Sequence, residues 1–412
     1  MILISDIKNG YGNSMALILL CCRIHFKTAE TSDLNEFIDC NEVDWSSFVK
    51  HCRIHRIRPL VYRIILKATV PIEFRNKITN ELNKLTLQSF EQAKETERLI
   101  LLLQQNNITV IPYKGTAFSK QFFGNISMRE SSDIDLIINP EDIPQTIHIL
   151  ENVGYIAPQK NYYNWMGHEQ FIKTHKDLNF DLIKDAKRIQ HVEMHFNTIN
   201  KSIHLPNHRN TFNTDTLYKN KLFQKEISTL HPVEQYRSIV LHHLLMDGMG
   251  YLKTVVDLAQ ITVYLEILNK DYKIDADSQN ILNELNTNYN LVLVQNILSQ
   301  IIGIPLNKTI ECGTEKSLTK RILSSSYRKV RKNKYPFLDG IVFNYIQLKY
   351  KSQFYNRKRD KTIYLVKSIL SLSDPQPDDY MSIKLYKNLY FLYYIIRPFR
   401  LLFTPSNPYK HI

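Results

Sequence analysis

A chain of 412 residues with 43% hydrophobic and 23% charged residues has the composition of an ordinary globular protein, which excludes a disordered or fibrous chain and provides core for roughly two to three domains or subdomains. The net charge of +13 favours polyanionic partners such as nucleotides, nucleic acid or acidic lipid. Cys21, Cys22, Cys40, Cys52 and Cys312 form no CxxC pair or knuckle spacing, which argues against structural zinc and a disulfide framework and fits reduced thiols in a cytoplasmic protein.

The longest apolar runs, residues 15–22 and 389–396, are well short of the roughly twenty residues that a membrane span needs. The N-terminus carries Asp6 and Lys8 and no small-residue cleavage site, so no signal peptide is expected. Residues 33–63 read as two helical pieces, the second capped by Asp44, and residues 76–105 continue in helical register until Asn106 and Asn107 break it. The period then changes. Residues 108–115 form a β-branched run closed by glycine, "TAFSKQFFG" suits a short helix, "DIDLIIN" is a strand stopped by Pro140, and residues 140–155 give a helix with acidic residues in its first turn.

Further strands are expected at residues 169–174, 179–183 and 191–196, and residues 231–268 read as two helices broken at 247–250. Interleaving of this kind predicts an α+β protein: a small mixed sheet over residues 108–205, helical subdomains over 1–107 and 206–305, and a basic, aromatic-rich region over 306–412. Between Arg321 and Lys361 there are twelve Lys or Arg against two Asp. That region suits either a solvated surface or contact with an anionic surface, whether nucleic acid or acidic lipid.

Asp133 and Asp135 stand two apart at the start of an apolar strand, a spacing that puts both on one face. Like charges so placed repel unless something cationic lies between them. Carboxylates on one rigid strand face are suitable ligands for Mg²⁺, which phosphoryl and nucleotidyl transfer require. "HVEMHF" offers Glu193 as a third carboxylate with His195 on the same face, and Asp181 is a rival for that place.

The order "YKG" (113–115), Arg129, "DIDLII" (133–138) and "VEMHF" (192–196) resembles the uncharacterised nucleotidyltransferase family of the DNA-polymerase-β-like superfamily, and residues 43–66 and 241–261 resemble the segments flanking that core. The resemblance implies a small mixed sheet with helices on one side and a nucleoside triphosphate, ATP being one, as donor. It implies one or two Mg²⁺ ions held by Asp133, Asp135 and Glu193, with Glu193 nearest the attacking group. Lys114 and Gly115 stand where better-known members have Gly-Ser, so Lys114 would meet phosphate as a point charge. Arg129 and His195 complete the donor-binding set.

The acceptor could be a small molecule, a glycan precursor, a protein or an RNA. Two other classes fit the same residues: a catalytically inactive nucleotidyltransferase-fold scaffold in a biosynthetic assembly, and a polyanion-binding protein dominated by its C-terminal part. His242, His243 and Asp257 read as structural residues on helices. Residues 321–361 are expected to be dispensable for metal and triphosphate, and Asp135→Asn is expected to leave the metal-free protein at least as stable by relieving repulsion from Asp133.

Overall fold

The computed structural model describes residues 1–206, 210–271, 275–305, 313–324 and 336–403. Cys312 and the whole of the basic run 326–335 lie outside them. Helices α1 (Ile4–Tyr11), α2 (Asn13–His25), α3 (Thr31–Cys40), α4 (Trp45–Ile54), α5 (Arg58–Ile65) and α6 (Ile72–Gln104) lead the chain. Asp44 caps α4, accepting from the backbone N–H of Ser46 and Ser47 at 3.0 Å. Residues 33–63 contain three helices rather than two. Arg56, at φ 54°, turns the chain left-handed after α4, and Pro59 starts α5 in the first turn, where its missing N–H costs nothing.

The centre is a five-stranded mixed sheet in the order β1-β2-β5-β4-β3, built from β1 (Val110–Pro112), β2 (Ile134–Ile138), β3 (Tyr155–Ile156), β4 (Asp177–Lys184) and β5 (Lys187–His195). Strands β2 and β5 are parallel, and the other pairings are antiparallel. Helix α7 (Gly115–Phe123) joins β1 to β2, α8 (Ile143–Asn152) joins β2 to β3, and α9 (Lys160–Met166) and α10 (His168–Thr174) join β3 to β4. Residues 169–174 are therefore helical rather than extended. Gly167, at φ 85°, redirects the chain into α10, and burial of Phe171 against His175, its ring stacked at 4.2 Å, holds that turn.

A hairpin of β6 (Leu217–Lys221) and β7 (Glu226–Leu230) follows, which periodicity did not indicate. Then come α11 (Pro232–Leu241), a π-helical turn His242–Met246, α12 (Leu252–Asp271), α13 (Ala276–Asn288), α14 (Leu291–Ile302), α15 (Gly313–Leu323), α16 (Pro336–Ser352), α17 (Lys358–Leu370), α18 (Pro377–Ser382) and α19 (Tyr393–Phe403). The break after α11 falls where the sequence places it. No helix among the described residues is long and apolar enough to cross a membrane.

The strand period of two sorts the sheet's side chains into separate environments. Ile134, Leu136, Ile138, Leu178, Phe180, Val192 and Met194 enter one core with the C-terminal half of α6 and with α8 to α10. Ile111, Tyr113 and Ile137 on the other face join a larger core shared by α2, α5, α12 and α14. Each fully buried Ile, Leu or Val on the first face contributes roughly 1.5–3 kcal/mol. That gain fixes the register of β2 and so determines what Asp135 and Glu193 face.

Candidate active site

Register places Asp135 directly opposite Glu193 on the neighbouring parallel strand, with His195 two residues further along β5 on the same face. Donor atoms of Asp135, Glu193 and His195 lie within 4.8 Å of one another. His195 Nε2 sits 2.9 Å from Asp135 Oδ1 and 3.3 Å from Glu193 Oε2. The imidazole thus stands between two carboxylates. It presents to this pair of like charges a nitrogen that can carry a proton.

The surrounding charges account for the titration of this group. Burial favours the neutral acid at Asp135, but Lys114 and the hydrogen bond from His195 outweigh it and hold the carboxyl below the ordinary range. Glu193 is held well below it: burial opposes ionisation, and Lys176 and His195 overcome burial. His195 is raised, since burial and Lys176 act against its charge while Asp135 and Glu193 together prevail. Lys176 bonds Asp177 and lies 3.7 Å from Glu193 Oε2. His195 Nδ1 is buried without a hydrogen-bond partner.

Asp133 falls one residue before β2 and is not in that group. Its Oδ1 accepts from Ser131 Oγ at 3.2 Å. The turn that carries it is pinned at several points. Arg58 grips Glu130 through both oxygens at 3.0 and 2.6 Å, Lys253 donates to the Glu130 carbonyl at 2.8 Å, and Arg56 bonds Ser132 at 2.9 Å. Asp181, the rival third carboxylate, is taken by His191 Nδ1 at 2.6 Å and Arg188 at 3.5 Å.

Lys114 is 7% exposed and caps α7 at φ 55° and ψ −144°, a conformation that non-glycine residues rarely adopt. Its ammonium lies 4.5 Å over the Tyr113 ring and 3.2 Å from His242 Nδ1. Burial pushes its pKa down, against the pull of Asp135. Helix α7 has no side chain capping its first N–H groups, so a cation and a helix N-terminus coincide beside the carboxylates. Gly115 sits at φ 52°, and a Cβ added there would lie 3.6 Å from the Asp133 carbonyl oxygen and 3.7 Å from Ser131 Oγ, ordinary contact distances. Gly115→Ala is expected to cost about 1 kcal/mol or more through the left-handed backbone, measurable by chemical denaturation.

Arg129 does not face the carboxylates of the sheet. Its Nε bonds both oxygens of Asp257 at 3.0 Å, with both residues almost fully buried, and its guanidinium lies 5.2 Å from the Phe118 ring. Asp257 also bonds His243 Nε2 at 3.1 Å, and His243 Nδ1 bonds Asp247 at 2.8 Å. His242, His243 and Asp257, expected as structural residues suited to packing and internal ion pairs, form a polar network that reaches the sheet through Lys114. Helical spacing alone does not show what these side chains face.

The C-terminal part also reaches this place. Arg321 is buried, donates to the Gly248 carbonyl at 3.3 Å and lies 4.2 Å over the Tyr350 ring. The Lys351 stem packs against Gly248, and burial lowers its pKa to about 8, with Asp247 acting in the opposite sense. Arg321 and Lys351 thus lie beside the π turn, while residues 325–335 of the segment expected to be dispensable fall outside the described residues.

Lys253, half-buried, has its pKa lowered to about 7 by removal of its ammonium from water and by Arg129 and Arg56. The folded state disfavours its charge, so between about pH 7 and the ordinary lysine range near pH 10 the unfolded chain binds more protons and stability rises with pH. Lys253→Met is expected to flatten the pH dependence of the denaturation midpoint in that window, checked by urea melts at pH 7, 8 and 9.

A family model described as an uncharacterised nucleotidyltransferase matches residues 41–297, more than half of the chain. The chain belongs to this family. The match runs from just before α4 to within α14 and includes the sheet, Lys114, the three-residue group and the π turn. Membership supports nucleotidyl transfer in general. No curated protein and no solved structure matches the chain. Within this uncharacterised nucleotidyltransferase, α15 to α19 lie beyond the matched segment, yet Arg321 and Lys351 from them pack on the Gly248 turn inside it.

Proposed function

We propose that this protein is a Mg²⁺-dependent enzyme that moves a nucleoside monophosphate from a nucleoside triphosphate to an acceptor hydroxyl or phosphate. The observation that carries the reading is the pairing of Asp135 with Glu193 on adjacent parallel strands, both kept ionised and both turned toward one nitrogen of His195. Two ionised oxygen donors side by side fit a hard dication, and the imidazole occupies the cationic role in the metal-free protein. In this reading Asp135 and Glu193 hold the ion, joined by Asp133, which has the same strand parity one residue before β2. When bound, the cation neutralises charge on the donor phosphates.

The chain's own groups supply the rest. Lys114 and the uncapped N-terminus of α7 receive donor phosphate oxygens. Glu193, held far below the ordinary carboxylate range, suits a ligand better than a proton acceptor. Arg129 acts through Asp257, holding the π turn and thereby His242 against Lys114. The acceptor's oxygen attacks the α-phosphorus, a new P–O bond forms, and the bond to pyrophosphate breaks.

Incubation with each α-labelled triphosphate and Mg²⁺ tests the reading, with pyrophosphate release and label transfer as readouts, transfer to the protein itself included. Turnover that disappears in Glu193→Gln supports it. Triphosphate binding without turnover under any acceptor pool would favour the inactive-scaffold alternative. Lys114→Ala is expected to weaken triphosphate binding about ten-fold or more, in keeping with loss of a charge-assisted contact worth 1.5–3 kcal/mol, as read by calorimetric titration.

A further inference from the structure

We propose that His242, His243 and Asp247 form a second cation site, one that takes a first-row transition dication and is distinct from the carboxylates of the sheet. The donor atoms of these three residues lie within 4.8 Å of one another. The backbone explains their convergence. After α11 the helix widens into the π turn, where Asp247 N–H bonds the carbonyl of His242 five residues back at 3.1 Å and Met249 N–H bonds that of His243 at 2.9 Å. Gly248 and Met249, at φ 59° and 50°, then end the turn. In a regular α-helix, residues 242 and 247 do not stack; the wider turn brings Asp247 to both histidines.

The groups behind these donors are those that metal ligands require. His243 presents Nδ1 to Asp247 at 2.8 Å while its Nε2 is held by Asp257 at 3.1 Å, and Asp257 is itself locked by Arg129. A carboxylate on the far nitrogen fixes ring orientation and raises the basicity of the donating one. A dication at Nδ1 would take the place of a proton there. His242 Nε2 lies 3.7 Å from Asp247 Oδ2. Its Nδ1 is engaged by Lys114 Nζ at 3.2 Å, which leaves Nε2 as the nitrogen turned toward Asp247.

Two imidazole nitrogens with one carboxylate suit Zn²⁺, Mn²⁺, Co²⁺ or Fe²⁺ better than Mg²⁺. Three protein donors leave coordination positions open, as in catalytic rather than structural sites. His242 and Asp247 are half-buried while His243 is buried, so the open side faces away from Asp257. Lys114, whose ammonium lies 3.2 Å from His242 Nδ1, opposes a bare dication and favours one that arrives with an anionic ligand.

The test uses the full-length protein stripped with a chelator and titrated with Co²⁺, read by visible absorption and by calorimetry. We expect about one equivalent to bind with d–d bands of imidazole coordination, and Asp247→Asn and His242→Gln each to weaken it about ten-fold or more while circular dichroism shows both folded. Asp135→Asn is expected to keep the Co²⁺ site, which separates this inference from the proposed Mg²⁺ reading. Absence of Co²⁺ binding, or binding that Asp135→Asn removes and the two turn variants keep, overturns the proposal.

Discussion

Asp135→Asn is expected to lose the Mg²⁺- and triphosphate-induced rise in melting temperature and to lower any transferase activity about a thousand-fold, because several kcal/mol of charge stabilisation leave with the cation. Asparagine keeps the size of the side chain and one acceptor oxygen, so β2 keeps its register. The stability of the metal-free variant is the more discriminating readout. Repulsion from Asp133 alone would make the substitution neutral or favourable, but the structure reverses that sign. Asp133 is bound by Ser131, whereas Asp135 faces His195 at 2.9 Å and feels Lys114, and its carboxyl is held below the ordinary range despite its burial.

The folded protein therefore favours the anion, and its loss should cost about 1–3 kcal/mol, the usual value of a charged hydrogen bond left half-made. By linkage, that contribution is present in the wild type above the ordinary carboxylate range near pH 4 and fades as pH falls below it. A melt of both proteins with and without Mg²⁺ and triphosphate, at pH 7 and pH 3, checks all of these. An unchanged ligand-induced shift in the variant would remove Asp135 from the active site.

Asp257→Ala is expected to be the most destabilising single change in the site region, costing about 3–5 kcal/mol in urea denaturation, because it strands a buried guanidinium. Arg129 is 7% exposed and Asp257 1% exposed, and Asp257 accepts from Arg129 and His243 together. Its pKa lies near 2, since Arg129 and His243 overcome burial. Removing both partners as Arg129→Met with Asp257→Leu should cost clearly less than the sum of the single changes, as the coupling of a buried pair predicts. Additive single and double effects, within about 0.5 kcal/mol, would mean that the pair is not a coupled unit. Activity in the folded double variant then reads whether the network positions His242 and Lys114 or only stabilises the turn.

The sequence by itself determined the elements that rest on local chemistry. The strand of Asp135, the strand of Glu193, the glycine after Lys114 and the break after α11 all follow from side-chain period, β-branching and glycine position, which act within a few residues. The parity that puts Glu193 and His195 on one face is likewise local, and so was visible. Residues 169–174 misled because Ile172 and Thr174 suit a strand, whereas burial of Phe171 decided for helix. The hairpin β6–β7 carries little alternation and gave no signal.

Only the tertiary structure decided which carboxylates meet. Parallel pairing of β2 with β5 depends on the apolar face shared with α6 and α8, and that packing sets Glu193 against Asp135 and leaves Asp181 to His191. It also decided the partner of Arg129, which lies 128 residues away at Asp257, and the approach of Arg321 and Lys351 to the turn at Gly248. Such contacts are selected by burial of charge in a shared low-dielectric interior, where an unpaired ion is costly and any partner of opposite sign within reach is taken. Residue order carries no record of that reach, so the second half of the site appears only when the chain is folded.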